Sequence, residues 1–211
     1  MNKELPSVYQ SIIHRSRYSR YLYDEKRRET WEETVDRLIT YLAVKINHIP
    51  ETGPNVANIL EDLREAILNL DVMPSMRLLM TAGEACDREN IAAYNCSYLA
   101  VNNKRAFSEA LYILMCGTGV GFSCERQEVN LLPTIPKQFN KTEDIIVIAD
   151  SKRGWAIAFK KLLSSLWEGE IPNLDYSKIR PAGARLKSFG GRASGRTPLK
   201  QLFDFTIRTF E

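Results

Sequence analysis

Four cysteines, two histidines and two glycine-rich turns are the groups of this 211-residue chain with which chemistry could be done. The thiols are Cys86, Cys96, Cys116 and Cys124, spaced by 10, 20 and 8 residues. No Cys-x-x-Cys pair exists, and His14 and His48 stand far from the cysteines in sequence, so a metal site is not expected. The scarcity of histidine argues equally against a Ser-His-Asp or Cys-His hydrolase. A buried cysteine is ordinarily a small inert hydrophobe, and nothing local lifts Cys86, Cys116 or Cys124 above that reading. Cys96 is the most pointed of the four. It opens the run Cys96-Ser97-Tyr98-Leu99-Ala100-Val101 behind Asn95, which reads as a short buried strand.

The first glycine-rich turn is Gly117-Thr118-Gly119-Val120-Gly121. It is not a dinucleotide fingerprint, because its glycines are spaced GxGxG and it follows a helical pattern instead of opening one. No Gly-Lys-Ser/Thr is present, which excludes a P-loop. What remains is a structural turn, or a backbone that a ligand approaches closely where a Cβ would clash. The second turn, Phe189-Gly190-Gly191-Arg192-Ala193-Ser194-Gly195, follows the basic stretch from Arg180 to Lys187. It is either a plain surface loop or a set of amides offered to an anion, with Arg192 and Arg196 adding charge.

The elements that must position these groups follow from periodicity and caps. Residues 1–30 are polar and rich in Arg and Tyr, and read either as a solvated face or as guanidinium groups stacked on Tyr rings. Thr30-Trp31-Glu32-Glu33 is a capping box, and Trp31, Val35, Leu38, Ile39, Leu42 and Ile46 then repeat at helical spacing. Pro50, Gly53 and Pro54 break that helix, and a second runs over about 56–70. Residues 74–83 are apolar with a glycine stop. Further helices are expected at about 105–116 and at 151–167 behind Asp150-Ser151. The continuous apolar run 145–149 reads as a fully buried strand, and a short strand is expected over 174–179. A last helix begins near Pro198 and reaches Glu211 without a Gly or Pro stop, as an interrupted domain would. From residue 74 onward strands and helices alternate, which predicts α/β packing behind an N-terminal helical region.

Composition sets the outer bounds. Hydrophobic residues make up 44% and charged residues 26%, which excludes a disordered tail, a fibre or a disulfide-stapled miniprotein. A net charge of +3 is too small for a protein that tracks along a nucleic-acid polymer. No apolar run is long enough to span a bilayer, and Met1 to Pro6 lacks the apolar core of a signal peptide, so no membrane role and a cytoplasmic location are the default expectations.

Six of these segments, taken in order, resemble one family. They are Arg17-Tyr18-Ser19-Arg20-Tyr21 with Arg28-Glu29-Thr30-Trp31-Glu32-Glu33-Thr34; Met73-Pro74-Ser75-Met76-Arg77 to Thr81-Ala82-Gly83; Tyr94-Asn95-Cys96-Ser97; Cys116 to Ser123; Asp150-Ser151-Lys152-Arg153-Gly154-Trp155; and Ile179 to Ala184 with Phe189 to Gly195. Each is weak alone. Together they are similar to the N-terminal portion of an adenosylcobalamin-dependent (class II) ribonucleotide reductase, of the ribonucleoside-triphosphate reductase type. Thr118 stands where that family often has a glycine, and Arg196 where it commonly has a proline.

The resemblance implies an α/β fold. Residues 1–72 would form an N-terminal helical region, and residues 73–211 the first half of a ten-stranded α/β barrel, incomplete at its C-terminus. Cys96 would be one half of the redox pair that reduces the ribose 2′ position, its partner lying outside this chain. Thioredoxin or a similar dithiol would re-reduce the resulting disulfide. Ser75, Asn95 and Gly119 would contact substrate, a ribonucleoside di- or triphosphate. Val101, Asn102, Asn103, Lys104 and Arg105 would form the site for a dNTP or ATP effector, with Arg126 a weaker candidate. The radical cysteine, most of the adenosylcobalamin surface and the C-terminal cysteine relay would belong to a C-terminal reductase polypeptide. The chain would therefore make deoxyribonucleotides only with that partner and be inactive alone. The alternative is a non-catalytic nucleotide-binding module that keeps the effector pocket. A relative with another radical generator is disfavoured by the Arg28-to-Thr34 segment.

Overall fold

The computed structural model describes residues 5–47, 55–186 and 191–211, so His48, the break at 50–54, Lys187, Phe189, Gly190 and the first four residues lie outside the described residues. The chain divides into two compact units, Met1–Asn95 and Cys96–Glu211.

In the first unit, helix α1 (Val8–Ile13) is capped by Ser7 and runs into a π-helical turn, His14–Tyr18. Strands β1 (Tyr21–Leu22) and β2 (Arg27–Arg28) pair antiparallel. Helix α2 (Trp31–Ile46) starts on the capping box read from the sequence. Thr30 Oγ1 accepts the Glu33 N–H at 3.2 Å, and Glu33 accepts the Thr30 N–H at 2.7 Å. Helices α3 (Val56–Leu68), α4 (Met76–Thr81) and α5 (Glu84–Arg88) follow. The core is the stripe of α2, with Trp31, Val35 and Leu38 against Ile67 and Leu68 of α3 and Leu79 of α4. The resemblance sets a boundary at 72/73. The compact units divide instead after Asn95, so residues 73–95 fall in the first, where α4 sets Leu79 against its helical core and α5 packs on α4.

The Arg/Tyr-rich stretch does more than face water. Arg15 and Arg17 are exposed, but His14 is buried edge-on to the Trp31 ring at 5.5 Å. Arg20 donates to the Ala82 carbonyl at 2.7 Å and Arg28 to the Ser19 carbonyl at 2.7 Å. The buried Glu29 carboxylate takes Arg37 Nε at 2.8 Å and Nη2 at 2.9 Å. The stretch is thus tied into the core by charged hydrogen bonds, the stronger class of such bonds.

The second unit is built from two strand–helix–strand repeats. Strand β3 (Cys96–Ala100), helix α6 (Arg105–Met115) and β4 (Gly119–Ser123) form the first, with the strands parallel. After the short helix α7 (Arg126–Val129), strand β5 (Asn140–Val147), helix α8 (Lys152–Trp167) and β6 (Glu170–Asp175) form the second, again parallel. Helix α9 (Thr197–Phe210) closes the unit, stacking Phe203 on Phe159 of α8 at 5.4 Å. The core gathers Phe159, Leu162, Leu163 and Leu166 from α8, Leu199 and Phe203 from α9, and Ile146 and Ile148.

From residue 96 onward the observed content is the expected α/β mixture, whereas residues 74–95, where the alternation was expected to begin, hold only helices. Two further details differ. The 145–149 run is not buried on both faces: Ile146 and Ile148 point to the core, while Ile145 and Val147 are 64% and 47% exposed, because α8 covers one side of this pair. The strand expected at 174–179 lies earlier, over Glu170–Asp175. The Asp175 carboxylate ends it by accepting the Ser177 N–H at 2.8 Å, which turns the chain.

Candidate functional site

Cys96 is the first residue of β3, and its partner across the pair is Gly119, the first residue of β4. Partners in such a pair share a face, so Cys96 and Tyr98 stand on the side of Gly119 and Gly121. The cysteine is a free, exposed thiol, and Tyr98 is 69% exposed, so the strand is not buried as its apolar run predicts. One face of a short two-stranded sheet lies open beside a thiol, with glycines where side chains would stand.

The 117–121 glycines have separate jobs. Gly117 follows the C-cap Cys116 of α6 with φ +86°, its N–H reaching the Leu114 carbonyl at 2.9 Å while the Thr118 N–H reaches Ile113 at 3.3 Å. That bond pair is a Schellman motif, which asks for glycine at the left-handed position. Thr118 has no positive φ, and its side chain is buried. The β-branched residue at 118 therefore does not conflict with the loop's shape. Gly119 and Gly121 are ordinary strand residues.

Ser75 and Asn95 meet at the start of α4. Ser75 Oγ accepts the Leu78 N–H at 3.3 Å and donates to the Ala93 carbonyl at 3.1 Å, and Asn95 Oδ1 accepts the Arg77 N–H at 3.3 Å. Both side chains serve as helix caps in this structure, and Asn95 is joined by its peptide bond to Cys96.

The stretch Val101, Asn102, Asn103, Lys104 and Arg105 lies beyond the opposite end of β3, which places its first residue about 16 Å from Cys96. Val101 is buried and donates its N–H to the Ser123 carbonyl at 3.0 Å. Asn102 donates to Glu128 of α7 at 2.9 Å, and Asn103 accepts the Arg105 N–H at 2.9 Å as α6 begins. Lys104 sits over the Trp167 ring at 5.6 Å, and Arg105 pairs with Glu109 at 2.8 Å. Glu128 was invisible from the sequence, because its partner lies 26 residues away with no local pattern joining them. Arg126 is exposed at the start of α7.

In the second glycine-rich region Gly183, Gly191 and Gly195 have positive φ, and Arg185 pairs antiparallel with Arg192. Arg192 Nη1 bonds the Gly183 carbonyl at 3.0 Å, so this guanidinium braces its own loop. Among the described residues no group of three or more His, Cys, Asp or Glu could hold a metal ion, and no helix is long and apolar enough to cross a membrane.

Comparison with known proteins bears on this arrangement. Residues 132–207 match the family model "B12-dependent ribonucleotide reductase, insertion domain". They hold β5, α8, β6 and most of α9, a stretch that the resemblance drawn from the sequence motifs would put in the barrel. The adenosylcobalamin-dependent ribonucleoside-triphosphate reductase of Lactobacillus helveticus is 26% identical over 91% of this chain and 34% of its own length. A probable enzyme of the same description from Dictyostelium discoideum is 28% identical over 93% of this chain and 30% of its own length. The Euglena gracilis enzyme is 29% identical over 85% and 26%. A crystal structure of a B12-dependent (class II) ribonucleotide reductase superposes with a TM-score of 0.81, at 22% identity, covering 95% of this chain and 36% of that one, a likeness of fold. The chain spans about a third of the length of the curated relatives it matches. Over nearly its whole length, then, this chain resembles the adenosylcobalamin-dependent (class II) ribonucleotide reductases.

Proposed function

We propose that this chain is the N-terminal portion of a B12-dependent ribonucleotide reductase and that Cys96 is one of the two thiols that reduce the ribose. The observation that carries this reading is the exposed Cys96 thiol at the head of β3, facing Gly119 across an open rung. In the proposed reaction the ribose 2′-hydroxyl leaves as water. The two electrons come from Cys96 and a second cysteine on the remaining polypeptide, which join in a disulfide. A thioredoxin-like dithiol returns the pair to thiols by exchange. Adenosylcobalamin, when bound to the whole enzyme, supplies the radical that starts such chemistry. No described residue is assigned to hold it. The chain's own residues act on the nucleotide: Ser75, Asn95 and the Gly119 backbone beside the ribose, and 101–105 around an effector base. The β3–β4 pair belongs to the incomplete barrel, with 132–207 as the inserted domain.

On this reading the chain reduces nothing alone. Mixing it with the matching C-terminal polypeptide, adenosylcobalamin, a ribonucleoside triphosphate and a dithiol is expected to yield deoxyribonucleotide. Turnover by the chain alone overturns the reading, and so does a mixture that binds nucleotide but never reduces it.

A further inference from the structure

Ser97 stands next to the exposed Cys96 thiol but cannot share its task. Side chains alternate along a strand, so Ser97 leaves β3 on the face opposite Cys96. Its hydroxyl does something else: Oγ donates to the Gly119 carbonyl at 3.0 Å, across to the neighbouring strand. Gly119 is the residue that faces Cys96, and that rung is the first of the β3–β4 pair, where a ladder frays most easily. A glycine at such an end carries no side chain to hold it and has the widest backbone freedom of any residue. On one side the rung is anchored by Thr118, whose side chain is buried. On the other side the Ser97 hydroxyl is the clamp.

We propose that Ser97 is a positioning residue for Cys96: its hydroxyl fixes the Gly119 backbone, and so fixes the gap between the thiol and the strand residue opposite it. The proposal rests on the reductase reading for its purpose, though the clamp itself does not. A serine is suited to the task because its short side chain reaches a carbonyl on the adjacent strand while leaving the Cys96 face clear. Threonine keeps the hydroxyl and is at home in a strand, and alanine removes only the oxygen.

The test uses Ser97→Ala and Ser97→Thr in two measurements. In the 211-residue chain, amide hydrogen exchange is followed in the peptide spanning Gly119 to Gly121. Loss of one such hydrogen bond is expected to speed exchange there about 2- to 10-fold in the alanine variant, with the threonine variant restored to the parent rate. In the reconstituted enzyme, Ser97→Ala is expected to lower kcat with little change in KM for the nucleotide, and Ser97→Thr to recover it. Unchanged exchange in Ser97→Ala overturns the clamp, whatever the activity. Equal losses of kcat in both variants overturn the hydroxyl's role in positioning. If the parent chain fails to reconstitute, the reductase reading falls, while the exchange data still decide whether Ser97 holds Gly119.

Discussion

Cys96 and Gly119 face each other across the first rung of the parallel β3–β4 pair, a thiol opposite a residue with no side chain. Any Cβ at 119 would rise on the thiol's own face, about 5 Å from it. The glycine leaves that side of the thiol clear, and on the proposed reading this is where the ribose would lie. Two replacements separate the roles of the pair. Cys96→Ser in the reconstituted enzyme is expected to keep nucleotide binding and lose multiple turnover with thioredoxin, because a hydroxyl cannot form the disulfide. Gly119→Val is expected to raise KM for the nucleotide while leaving the thiol free to react with iodoacetamide. Sustained thioredoxin-dependent turnover in Cys96→Ser would remove that residue from its assigned role.

Gly117 is a different kind of glycine. It takes φ +86° as the left-handed residue that ends α6, with both Schellman hydrogen bonds in place. Gly117→Ala is expected to lower stability by about 1 kcal/mol, measured by urea unfolding, without touching Cys96 chemistry. A variant as stable as the parent would show that the turn is not strained by a Cβ.

How much of this was legible depended on whether the signal was local. The capping box at Thr30 and Glu33, the Ser151 cap of α8 and the α2 stripe each lie within a few residues of sequence, and the structure places them as read. Cys96 at the head of a strand was legible too, from the apolar run behind it, though the exposure of Cys96 and Tyr98 was not. The burial of His14 and the Glu29–Arg37 pair was not, because those contacts join residues that no short pattern connects. The 145–149 run misled for a physical reason: composition alone does not tell a strand covered on both faces from one covered on a single face. The Asn102–Glu128 bond escaped for want of any pattern across 26 residues.

Gly154 shows a requirement that helix propensity would hide. It lies in the first turn of α8, where alanine is ordinarily the better helix former by about 1 kcal/mol. A Cβ there would come within 2.6 Å of the Ala149 carbonyl oxygen and 2.7 Å of the Ala149 Cβ. The overlap involves backbone and cannot be relieved by a side-chain rotation. Gly154→Ala is accordingly expected to destabilise the chain by about 1–2 kcal/mol in spite of its propensity. A gain in urea midpoint would mean that the loop before α8 shifts freely.

The buried network of the first unit predicts a pH dependence in two steps. His14 Nε2 shares a hydrogen bond with Thr34 Oγ1 at 2.8 Å, and burial pushes the imidazole pKa below its usual 6.5. The nearby Arg15 and Arg37 push it the same way, and Glu29 opposes them. The folded state thus binds this proton less readily than the unfolded chain. Its contribution is complete above pH 6.5 and is lost as pH falls through the lowered value. Burial alone would raise the pKa of Glu29. The Arg37 guanidinium, the Arg20 N–H and the Thr34 hydroxyl outweigh it and hold the carboxyl below 4.5, so its contribution persists until pH falls under that value. Urea midpoints followed from neutral pH downward are expected to decline gently below pH 6.5 and more steeply below 4.5. His14→Gln, which keeps a polar partner for Thr34 but cannot take up the proton, is expected to flatten the first decline and leave the second. An unaltered first decline in that variant would place the titrating group elsewhere.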